Sequence, residues 1–220
     1  MKKQVLLIAI AIFSFGIMQA QDIRFGAKAG VNFASIGGDE TDGIEGKTGF
    51  HIGGLVEIML TDQFAIQPEL LYSAQGAKFE ETDSEDGISV TVTDKTKLDY
   101  INLPIMAKYY VTEGLALEAG PQIGFLVSAN AETELDISGI DDPEFIEFIE
   151  DEFGVGDQDI SDGTSGIDFG LGLGASYRLD MGVFFGARYT LGLSNINDFE
   201  GSDNFKQQNN VFQVSVGYLF

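Results

Sequence analysis

The chain has no cysteine, only four prolines in 220 residues, and a single histidine, His51. Without cysteine there is neither a disulfide framework nor thiolate chemistry. One histidine leaves no multi-histidine metal centre. A serine–histidine pair stays open, but no acid and no oxyanion donors can be placed around it, and an inward-facing, hydrogen-bonded His51 is the expectation. The pattern assigns no catalytic residue, no metal ligand and no cofactor. Basic residues are scarce as well, 12 Lys and Arg against 35 Asp and Glu, for a net charge of −23. Such a chain cannot neutralise phosphates in bulk, which excludes a general nucleic-acid binder. Long apolar runs are also missing: after the first 20 residues nothing approaches the roughly 20 that a spanning helix needs. A membrane reading therefore requires a barrel, the other structure that satisfies its own backbone.

What is present begins with a leader. Met1, Lys2 and Lys3 form a basic start, residues 5–17 are almost wholly apolar, and Ala20 supplies a small residue before a cut. Residues 1–20 read as a secretory signal peptide removed during export, leaving 21–220 as one domain.

From residue 22 onward the chain alternates with a period of two, the signature of strands whose side chains switch faces at every residue. Eight such segments are expected, over about 22–34, 47–60, 64–79, 96–111, 115–129, 165–179, 183–195 and 211–220. The last is the clearest. Phe212, Val214, Val216, Tyr218 and Phe220 share one face, while Gln213, Ser215 and Gly217 share the other. It reads as the closing strand of a barrel, the segment offered to the machinery that assembles such barrels. Connections alternate strictly between tight turns at 61–63, 112–114 and 180–182 and longer segments at 35–46, 80–95, 130–164 and 196–208. That is the plan of an all-β, antiparallel, up-and-down transmembrane β-barrel of eight strands, with short periplasmic turns and long external loops.

Charge placement separates this reading from a soluble barrel. Through the middle of each strand the apolar face carries no charge, whereas a soluble antiparallel barrel would put its charges outside. Tyr72, Tyr109, Tyr177, Tyr189 and Tyr218 fall on that face, as expected of aromatic girdles against lipid. The opposite, inward face carries Arg24, Lys28, Glu57, Glu69, Lys108, Glu118, Asp168, Arg178 and Arg188. An eight-stranded barrel is just wide enough for side chains to fill. Five bases and four acids in that space predict a salt-bridged plug.

Residues 130–164 hold thirteen Asp and Glu and no Lys or Arg. Such acidic loops offer oxygen ligands to divalent cations or a face to protein partners, although Asp157, Asp159 and Asp162 miss the EF-hand order. Asp141, Asp142 and Pro143, followed by Phe145, Ile146, Phe148, Ile149 and Phe153, predict a short amphipathic helix that caps the barrel mouth. Gly170, Gly172 and Gly174 recur every second residue within a strand, which is not a dinucleotide loop.

The run YINLPIMAKYY over 100–110 and the terminal GYLF at 217–220 resemble the Bacteroidota outer-membrane β-barrel family, often labelled porin-like or PorT-like. The likeness spans about 21–220. It implies an eight-stranded barrel in the outer membrane of a Gram-negative cell, a monomer among outer-membrane lipids, with no single activity and no catalytic residues. One branch is similar to a component of a secretion apparatus; a narrow channel is the other alternative.

Overall fold

The computed structural model describes residues 22–85, 87–139, 142–144, 146–148, 154–199, 201–202 and 205–220, and the expected leader 1–20 lies outside them. Nine strands are present among these residues: β1 (Ile23–Gly38), β2 (Ile44–Met59), β3 (Phe64–Glu85), β4 (Ile88–Tyr110), β5 (Leu115–Ser138), β6 (Gly156–Asp159), β7 (Ile167–Arg178), β8 (Val183–Gly192) and β9 (Gln207–Leu219). Eight of them form a ring in which every neighbour is antiparallel and β9 closes on β1. β6 is a short addition, paired to the far part of β5 at Asn130–Asp159 through Thr133–Gly156. Ring closure leaves no free edge through the membrane-spanning region, which is what lets strands lie in lipid.

Alternation decides which side faces out. Phe25, Phe50, Leu70, Ile105, Leu117, Leu173, Phe185 and Val214 are exposed although apolar, and the buried residues are largely polar or charged. The barrel is thus inside-out relative to a soluble one. Its outer aromatics form two girdles. Phe64, Tyr109, Tyr177, Phe185 and Tyr218 lie toward the tight turns, with Phe64 and Tyr109 rings 4.9 Å apart. Phe33, Phe50, Tyr72 and Phe212 lie toward the other end, where Phe50–Tyr72 and Phe33–Phe212 are 5.6 and 6.3 Å apart.

The structure corrects the expected loops. Residues 80–95 are not a loop: β3 and β4 stay paired out to Glu85–Ile88, and β5 follows β4 to Ser89–Ser138. A sheet of β3, β4 and β5, with the short β6 added along β5, therefore stands beyond the apolar belt. Its outward face is polar, with Lys97 Nζ 2.8 Å from Glu132 Oε2 and Lys95 paired to Glu134. The hydrogen bond from Lys97 holds the half-buried Glu132 carboxyl below its usual range. A bulge at Val127, where Asp99 pairs Ser128 and Tyr100 pairs Leu126, switches which β5 side chains point inward.

The third connection does hold helical residues, Pro143, Glu144 and 146–148, started by Asp142, whose carboxylate accepts the Glu144 backbone N–H at 3.1 Å. Asp141, Phe145, Ile149 and Phe153 lie outside the described residues. Phe148 is exposed, so this side chain does not cap the mouth as expected.

Candidate functional site in the barrel lumen

Inward side chains fill the lumen in layers, taken here from the tight-turn end. In the first, Glu57 from β2 is wholly buried and accepts from Lys108 Nζ at 2.8 Å and from the Tyr110 hydroxyl. Arg24 Nη1 and Arg178 Nη1 each lie 3.5 Å from its other oxygen. In the second, Glu69 takes Lys28 Nζ at 2.7 Å and two parallel N–H bonds from Arg188, at 2.9 and 2.7 Å. Arg188 Nε donates to Glu118 at 2.7 Å. Gln67 joins the layers, donating to Glu69 at 2.7 Å and accepting from Lys108 at 3.1 Å. Between these side chains there remains a void of about 10 Å³, on the order of the volume one water needs.

The third layer is uncharged. His51 is fully buried, with Nδ1 2.8 Å from Asn32 Oδ1 and Nε2 2.9 Å from Ser215 Oγ. Asn32 also accepts from Gln213 at 3.0 Å and donates to Ser73 Oγ at 2.9 Å. Gly30 makes room for the ring, since a Cβ there would sit 2.6 Å from His51 Cε1 and 2.8 Å from Ser215 Cα. Ser215, His51 and Asn32 stand in the order of a nucleophile, a base and an orienting group. The void that Ser215 borders measures about 10 Å³, far below the several hundred Å³ that substrate pockets occupy.

The fourth layer was not foreseen. Leu98, Tyr100, Ala129 and Ile196 form a buried apolar cluster, with Ile36, Leu126 and Ile160 packed against it. Loop residues knit above it, through Ser165 N–H to Ile196 O at 2.7 Å and Asp198 N–H to Gly163 O at 2.9 Å. Ile160 and Ile196 come from connections without alternation, so no period-two pattern could have marked them; Leu98 and Tyr100 sit at even positions of β4, the inward parity of that strand.

Eight of the nine expected inward charges thus fall into two joined layers. Asp168 does not. It sits at the far end, where Ser194 Oγ donates to it at 2.6 Å and no cation lies within ion-pair distance among the described residues. The acidic third connection brings no three carboxylates together among the described residues. Asp157 instead lies 3.8 Å from Lys97, and Asp159 accepts the Ser161 backbone N–H at 2.9 Å.

At the tight-turn end the lumen opens into a cavity of about 980 Å³, floored by Arg24, Tyr110 and Arg178 and bordered by Asp62, Glu113 and Asp180.

No curated protein matches this chain. Among solved structures it is similar to Ail, the attachment invasion locus protein of Yersinia pestis, at 10% identity over 90% of this chain and 98% of that one, with a TM-score of 0.43. It is also similar to Neisserial surface protein A, at 12% identity over 89% and 97% of the two chains, with a TM-score of 0.46. OprG from Pseudomonas aeruginosa matches at 13% identity over 91% and 95%, with a TM-score of 0.36. Residues 19–198 match the sequence family described as outer membrane protein beta-barrel domain. The chain belongs to that family, and its place is the outer membrane.

Proposed function

We propose that the protein is a non-enzymatic, monomeric barrel with a closed lumen, which acts through what it displays outside the membrane and through its contribution to envelope integrity. The observation that carries this reading is the filling of the lumen. Glu69, Arg188, Lys28 and Glu118 neutralise one another across it, and the void among them holds about one water. A solute path would require those ion pairs to part in a low-dielectric interior, which is strongly unfavourable. What remains available to a partner is the projecting sheet of β3, β4 and β5, where β3 residues 80–85 have β4 on one side and no strand on the other among the described residues.

Planar-bilayer recording of the refolded chain tests the closed lumen. The expected result is a flat baseline at all voltages; discrete single-channel steps would replace this reading with a narrow channel. The Bacteroidota PorT-like assignment and the cleaved leader belong to the same proposal, supported by the residue patterns at 100–110 and 1–20. Mass spectrometry of the protein from outer membranes should give a mature N-terminus at Gln21. Co-purification with secretion subunits would favour the secretion role instead.

A further inference from the structure

The cavity at the tight-turn end is not explained by closure of the lumen. Its floor carries an excess of positive charge. Arg24, Arg178 and Lys108 all address one carboxylate, Glu57, and Lys108 and Tyr110 already hold one of its oxygens at hydrogen-bond distance. Both guanidiniums are left with the other oxygen at 3.5 Å, the outer limit of a hydrogen bond. Arg24 is also tethered to Asp22. Arg178 has no such tether: among the described residues its side chain makes no closer polar contact, although it stacks over the Tyr110 ring with its Cζ 5.8 Å from the centroid. A guanidinium has five N–H donors in a fixed fork that fits a carboxylate with two parallel bonds. Here that fork is a quarter exposed, at the floor of a cavity of about 980 Å³, the size of a small-molecule site.

The border of the same cavity has the opposite sign. Each tight turn contributes one exposed acid, Asp62, Glu113 and Asp180. A simple anion would cross this acidic border at a cost, and a simple cation would meet the Arg24 and Arg178 guanidiniums at the floor, where the acids Asp22 and Glu57 are already paired. A molecule carrying both charges, separated along its length, matches both levels.

We propose that this vestibule binds a short amphoteric peptide, whose free carboxylate seats on Arg178 and Arg24 and whose ammonium group faces Asp62, Glu113 and Asp180. In outer-membrane barrels the short turns face the periplasm, so the ligand comes from that compartment. The specificity follows from the chemistry: the carboxylate replaces the weak 3.5 Å contacts to Glu57 with charge-assisted bonds, while the ammonium needs only the long-range field of the border.

Trialanine serves as the probe, in three forms: with both termini free, with the C-terminus amidated, and with the N-terminus acetylated. Binding is followed by nuclear magnetic resonance of the full refolded barrel in detergent. The free form should bind saturably in the millimolar range. Amidation should weaken it at least tenfold, and acetylation severalfold. Arg178→Gln, checked for retained heat-modifiable mobility, should abolish the difference between free and amidated peptide. Equal binding of the free and amidated forms by the unmodified protein overturns the proposal, and so does the absence of saturable binding. Because that comparison uses the unmodified protein, it holds even if the variant fails to fold. A result against the vestibule leaves the closed lumen standing, since conductance tests that separately.

Discussion

Arg188 and Glu69, 119 residues apart in the chain, meet across the barrel axis through two parallel hydrogen bonds of 2.9 and 2.7 Å. Both side chains are almost fully buried. Lys28 and Glu118 complete the cluster, so each charge has a partner of opposite sign on a different strand. Burying ions in this way gives little net stability, but removing one partner strands the others without compensation.

Glu69→Gln should therefore destabilise the barrel by about 3–5 kcal/mol, because Lys28 and Arg188 both lose their strongest acceptor. On a detergent gel this appears as a lower temperature for conversion of the compact band to the extended one. An unchanged conversion temperature would show that the cluster does not hold the barrel.

The seam between β1 and β9 depends on a position that has no side chain. Gly30→Val should block closure, since even a Cβ would press on His51 and on the β9 backbone. Gly54→Ala is the control: the nearest atom to its Cβ would be Gly26 O at 3.7 Å, an ordinary contact. The expected outcome of refolding is a compact band for the control and none for Gly30→Val. Equal yields would refute the account of the seam.

Ser215, His51 and Asn32 provide a direct test of enzymatic character. A fluorophosphonate probe should leave the folded protein unlabelled, because the void that Ser215 borders among the described residues, about 10 Å³, is too small for the reagent. Labelling that disappears in Ser215→Ala would instead make this trio catalytic and overturn the non-enzymatic reading.

The apolar cluster at the far mouth should act as a seal separate from the charged layers. Ile196→Ala removes a buried side chain and should cost about 2–5 kcal/mol. Conductance should stay absent, because Arg188 and its partners still fill the lumen below. Channel steps in this variant would place the barrier at the mouth.

Much of the barrel could be read from alternation alone. The inverted polarity, the tight turns and the inward set from Arg24 to Arg188 all follow from side chains that switch faces, and the family match places the fold in the outer membrane. Beyond the apolar cluster at the far mouth, three features escaped for separate physical reasons. The far halves of β3 and β4 are rich in acids and threonine, so 80–95 resembled a loop, although Ile88, Val90 and Val92 alternating with Ser89, Thr91 and Thr93 were a usable strand signal. The bulge at Val127 shifts the phase of β5, which turns Ala129 inward where strict alternation would turn it out. Asp168 falls on the inward face of its strand like the other charges, yet its height along the barrel keeps it from every cation among the described residues, and height is set by strand stagger rather than by alternation.

The pairing of β9 with β1 also dictates how the molecule can form. Contacts such as Gln213 to Asn32 and Ser215 to His51 join residues 181 and 164 positions apart. Loops of that length must be closed before their contacts give any return, which makes assembly slow. Until that final registration, a partly assembled sheet keeps two adhesive edges and an apolar outer face. Folding is thus committed in one late step, and the intermediate before it must be sheltered from its own kind until the seam meets.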